Sequence, residues 1–177
     1  MANPFLVYGP FEAPLHKFMQ ANGPKEEKIW WAALDENLPG LRGAVGVYLC
    51  SRRHGEKFEP IYVGMTERAF EIEIFSDSNL RKYHSYLSTK NGSLTVHLLA
   101  KPRALQKGYS TNISKEKLLW LERLLILLCQ HQNDALLNLV GAPFLEDISI
   151  ENVLGKFRQG GRARAVETFI DAIGLRI

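Results

Sequence analysis

No apolar run in this chain exceeds Leu124 to Cys129, and a membrane-spanning helix needs roughly 20 such residues; a helical membrane span is therefore excluded. Cysteine is nearly absent. Cys50 and Cys129 are the whole complement, each lies among apolar neighbours, and neither has a partner at metal-ligand spacing, so the reading is two buried thiols in a reducing cytoplasm. His54 and His131 likewise lack a partner at ligand spacing. The start, Met1-Ala2-Asn3-Pro4, has no basic segment leading into an apolar signal core, which again points to the cytoplasm. Repeats and low-complexity tracts are missing too. Nor is either charge sign in large excess: 22 Lys and Arg against 19 Asp and Glu leave +3, too little to demand or exclude an anionic partner.

The distribution of charge is more informative than its sum. Basic residues gather at Arg52, Arg53, His54 and Lys57, at Arg81 and Lys82, at Lys101 and Arg103, and at Lys156, Arg158, Arg162 and Arg164. Such clusters neutralise phosphates or are simply solvated faces, and the sequence alone leaves both readings open for each. At 177 residues the chain is long enough for one domain with a full apolar core and short for two.

Residues 1–42 are punctuated by Pro and Gly and read as an ordered extension packed on the core. Gly43 to Cys50 is rich in Val, Tyr and Leu, and after a polar stretch Ile61-Tyr62-Val63-Gly64 is a second apolar run. The pair predicts a β-hairpin with basic residues at its tip. Thr66 is placed to cap a helix carrying Phe70 and Ile74 on one face, and Asn79 to cap another carrying Leu80, Tyr83 and Leu87. Asn91-Gly92 turns into a strand, Ser93 to Ala100, in which Leu94, Val96 and Leu98 share a face. A polar loop over 101–113 leads to Ser114, which caps a long apolar helix to about His131. Beyond it, an amphipathic piece over 148–157 and a last helix over 163–173 form a C-terminal extension, 140–177. The fold class is α/β in the α+β sense, a small central antiparallel sheet flanked by helices.

Gly46-Val47-Tyr48 and Tyr62-Val63-Gly64, each in one strand of the predicted hairpin, resemble the paired motifs of the GIY-YIG nuclease family. The resemblance covers about residues 43–139: hairpin, helix, third strand, then a helix bearing Glu122 and, after it, Asn138. It implies a metal-dependent endonuclease that hydrolyses DNA phosphodiester bonds, with Mg²⁺ or Mn²⁺ held by Glu122. The resemblance further implies that Tyr48 and Tyr62 act at the nucleophile and that an arginine supports the phosphate. Where the family places that arginine, about two turns along the first helix, this chain has Ile72 between Glu71 and Glu73. Arg68 is the nearest substitute. Arg52, Arg53, Arg81, Lys82 and Asn138 complete the expected DNA-binding set, with Asn133 an alternative to Asn138.

Glu122 also stands out on spacing alone, because its helical neighbours Leu118, Leu125 and Ile126 make the face around it apolar. A carboxylate there must be paired, neutralised or cation-bound, and an ion pair with Arg123 is the plain alternative to metal. Tyr48 and Tyr62 have an equally plain reading as strand aromatics packed in a core. The second functional expectation follows: a catalytically silent module that keeps the hairpin as a scaffold for binding nucleic acid or protein.

Overall fold

Four strands alternate with helices along the first three-quarters of the chain. In this computed structural model residues 4–103, 107–130 and 132–137 are described. The chain divides into two units, Met1–Asn138 and Leu139–Ile177. The second, with the expected extension over 140–177 and its basic residues Lys156 to Arg164, lies outside the described residues, as do Asn138 and His131.

The elements are β1 (Leu6–Ala13), α1 (Leu15–Phe18), α2 (Gly23–Asn37), β2 (Gly46–His54), β3 (Lys57–Thr66), α3 (Phe70–Glu73), α4 (Asp77–Ser88), β4 (Ser93–Ala100) and α5 (Lys115–Gln130). The strands form one sheet in the order β1-β4-β2-β3, and every neighbouring pair is antiparallel. The hairpin is longer than its apolar runs suggest: His54 pairs with Lys57 around Gly55, whose φ of +62° suits glycine. Much of the polar stretch 51–59 is therefore strand, and Arg52 and Arg53 lie in the ladder opposite Glu59 and Phe58.

The largest departure from the sequence reading is at the N-terminus. Leu6–Ala13 is an edge strand of the same sheet, paired with β4 from Leu6↔Ala100 to Ala13↔Leu94 with a register shift between Tyr8 and Phe11. Gly9 and Pro10 sit at that irregularity on an edge strand, where a residue without an N–H disrupts little. α2 follows, with Pro24 in its first turn, where the missing amide proton is of no consequence.

Tyr48 and Cys50, two apart on β2, share a buried cluster with Val96 and Leu98 of β4, with Leu80 and Tyr83 of α4, and with Phe18 and Trp31 from the N-terminal helices. Val47, on the other face of β2, is buried apart from that cluster, as are Leu118 and Ile126 of α5, which lies along β3 and β2. β3 ends the sheet, and two of its carbonyls are met from beyond α5. The Leu137 amide donates to Ile61 (2.8 Å), and Asn133 Nδ2 donates to Pro60 (2.7 Å) and to the Tyr86 hydroxyl (2.9 Å). Buried carbonyls left without such partners would each cost about 1–3 kcal/mol.

Candidate functional site around Tyr48 and Tyr62

The two motif glycines have steric duties. A Cβ on Gly64 would stand 2.5 Å from the Tyr48 ring and hydroxyl and 2.8 Å from the Tyr62 ring, and one on Gly46 would collide with the Leu99 carbonyl oxygen. Neither φ is left-handed; close approach is what excludes a side chain at both positions. With Gly64 bare, Tyr48 lies over β3, fully buried, its ring centroid 6.0 Å from that of Tyr62.

Asn79 fixes the Tyr48 hydroxyl. Its Nδ2 donates to that oxygen (3.2 Å) and to the Glu73 carbonyl (3.0 Å), while its Oδ1 accepts from Lys82 Nζ (3.2 Å). Sequence placed Asn79 at a helix N-cap; the cap of α4 is Ser76, and Asn79 is inside the first turn, 2% exposed. Burial pushes the Tyr48 pKa far above the usual phenol range, with like-signed repulsion from Tyr62 adding to it. Tyr83 is raised well above its ordinary value by the same desolvation, and Cys50 beneath them is pushed up to about 12. These groups are neutral at physiological pH. Tyr48 is thus fully buried, with its hydroxyl held by Asn79.

Tyr62 is different. It is partly exposed, and desolvation followed by the neighbouring Glu122 charge raises its pKa to about 12. Lys82 Nζ stands 5.0 Å from its ring centroid, a cation–π geometry, and Tyr83 meets the ring edge-on at 5.8 Å. Tyr62 is thus the link among the expected site residues, touching Tyr48 on one side and sensing Glu122 on the other.

Glu122 is half-buried in α5. Desolvation raises its pKa, offset by a hydrogen bond from the Met65 backbone and by the Arg123 charge. Its carboxylate therefore caps an amide of the outermost strand. The expectation of Mg²⁺ or Mn²⁺ at Glu122 is corrected by the donor set: among the described residues no group of three or more His, Cys, Asp or Glu side chains could hold a metal ion. The nearby acid Glu73 pairs with Arg68 (3.9 Å), and Glu71 is drawn off to Arg42 (3.7 Å). The metal-binding and magnesium expectations fall with it.

The remaining basic candidates separate. Arg68 is 70% exposed at its side chain. Arg52 is held by Glu59 (2.6 Å) and by the Asn91 carbonyl (2.7 Å). Arg53 pairs with Glu12 (3.8 Å) and covers Phe58. Arg81 and Lys82 are exposed on α4, and of these only Lys82 meets the tyrosines. Sequence singled out Lys82 as a DNA contact; its seat on Tyr62 and Asn79 depended on tertiary neighbours. No helix of the described residues is long and apolar enough to cross a membrane. No family model, curated protein or solved structure matches this chain.

Proposed function

We propose that this chain is a GIY-YIG-like module that binds nucleic acid, DNA in the first instance, without cleaving it. The carrying observation is the Tyr62–Lys82 pair, a partly exposed aromatic face beside an ammonium, next to a Tyr48 hydroxyl that is buried and engaged by Asn79. An aromatic ring with an adjacent cation offers a base a stacking surface and a phosphate a counter-charge. Hydrolysis asks for an accessible nucleophile or base and for stabilisation of developing charge. Tyr48 is inaccessible, Glu122 is occupied with the Met65 amide, and Arg68 shares its charge with Glu73.

Fluorescence anisotropy with single- and double-stranded DNA, read across a salt series, tests the reading. Lys82→Ala is expected to weaken binding uniformly across sequences and to lower the salt slope by about one. Tyr62→Ala should remove roughly 1–3 kcal/mol of stacking, and Tyr48→Phe should leave binding unchanged. Failure of the wild-type chain to bind DNA at low salt overturns the proposal. So does DNA cleavage that Tyr48→Phe abolishes, since it would make the buried hydroxyl a reactant.

A further inference from the structure

Residues two apart on a strand share a face and are separated by about 7 Å along it. A ring standing upright on the pleat is clear of its neighbour's Cβ at that spacing. The Tyr62 ring is not upright. A Cβ on Gly64 would stand 2.8 Å from Tyr62 Cε1, so the ring leans along β3 and lies over the bare glycine. Tyr48 lies beside it with the two ring planes 31° apart, and Tyr83 of α4 meets it edge-on. The partly exposed Tyr62 ring is thus held in one orientation by its neighbours, and a ligand that uses it loses little side-chain freedom in doing so.

A ring lying down on a sheet can stack one base and is badly shaped to separate two. Side chains that enter stacked duplex do so as wedges projecting between base steps, and Tyr62 is packed along the strand instead. In a duplex the base faces are covered by their neighbours, leaving groove edges and phosphates to the protein, and bringing out one base costs unstacking and unpairing energy that a single strand does not pay. An unpaired nucleotide offers a base plane and a phosphate together. The Tyr62 ring, with Lys82 Nζ 5.0 Å from its centroid, has one group for each. Asn79 Oδ1 holds that ammonium at 3.2 Å. Glu122 of α5 lies close enough for its charge to raise the Tyr62 pKa, and the same charge directs a phosphate away from itself and toward Lys82. We infer that the Tyr62–Lys82 site takes an unpaired nucleotide, so that the chain binds single-stranded DNA in preference to duplex, an inference that rests on the nucleic-acid reading above and narrows its substrate.

Fluorescence anisotropy of the full chain at one low salt concentration compares three labelled probes: an oligothymidylate, a blunt hairpin duplex with the same number of phosphates, and an abasic single strand of the same length and charge. The oligothymidylate is expected to bind at least about tenfold tighter than either of the others, the scale of one stacked base. Tyr62→Leu, which keeps an apolar side chain but no ring, should lose that margin, and Tyr62→Phe should keep it. Duplex bound as tightly as oligothymidylate overturns the inference and leaves the nucleic-acid reading standing. The abasic strand bound as tightly as oligothymidylate does the same, on the wild-type chain and without recourse to any variant. A margin that survives in Tyr62→Leu, with far-UV circular dichroism matching wild type, also overturns it. Binding to none of the three probes removes both readings.

Discussion

Replacing Asn133 with alanine isolates the contribution of the segment that closes the sheet. The side chain is 8% exposed and makes three bonds: Nδ2 to Pro60 O at 2.7 Å, Nδ2 to the Tyr86 hydroxyl at 2.9 Å, and Oδ1 from the Ala135 amide at 2.9 Å. Their consequences differ. The Tyr86 hydroxyl keeps Lys90 Nζ at 2.6 Å and loses little. The Pro60 carbonyl is left in a buried setting, costing about 1–3 kcal/mol, and the Ala135 amide adds about 0.5–1.5 kcal/mol. The expected destabilisation is roughly 2–4 kcal/mol, with the lower end applying if water follows the truncated side chain. Urea unfolding followed by far-UV circular dichroism measures it, with the m-value held constant as evidence that only stability has changed. Asn133→Asp keeps the acceptor for Ala135 but sets a carboxylate against the Pro60 oxygen, and should be at least as damaging at neutral pH. A loss below about 0.5 kcal/mol for the alanine variant, the scale of an ordinary surface change, would refute the claim that Asn133 ties α5, β3 and α4 together.

Other perturbations separate packing from chemistry. Gly64→Ala, which drives a methyl into the Tyr48 ring, should cost about 1–3 kcal/mol and show a coupling with Tyr48→Phe in a double-mutant cycle; additive effects would contradict the close approach. Tyr48→Phe alone should cost about 0.5–1.5 kcal/mol, because Asn79 retains the Glu73 carbonyl, as thermal unfolding would record. The pH dependence of Glu122 has a definite sign: its folded pKa is raised, so the folded state holds the proton more tightly than the unfolded chain does. Its favourable contribution is present below the unfolded value and lost as pH rises through the folded one. Glu122→Gln should therefore be more stable than wild type at neutral pH, with the difference shrinking toward about pH 4; a pH-independent difference would show that the carboxylate is not desolvated.

Much of the sheet was legible in the sequence because period and composition are local. The two apolar runs around Tyr48 and Tyr62, the Leu94-Val96-Leu98 alternation and the Leu-rich helix all appear as strands and a helix near their expected limits. β1 escaped because Gly9-Pro10 is the ordinary signature of a turn, and only pairing with β4 turns it into a strand irregularity. Asn79 escaped for a related reason. An asparagine ahead of Leu80 and Tyr83 has the chemistry of a cap, whereas its role comes from Tyr48, a residue 31 positions away. The site was legible as a set of tyrosines and one glutamate. Which hydroxyl is sealed, and which lysine joins the ring, is decided by packing that no local pattern encodes.

The bare backbones of Gly46 and Gly64 limit what a short motif can reveal. A side chain at Gly46 would meet the Leu99 carbonyl and the Phe70 ring, and one at Gly64 the rings of Tyr48 and Tyr62, so folding by itself disfavours replacing either glycine, whatever the chain does. In this fold the glycine-and-tyrosine pattern is accounted for by close packing, and chemistry has to be read from the groups that remain open to solvent.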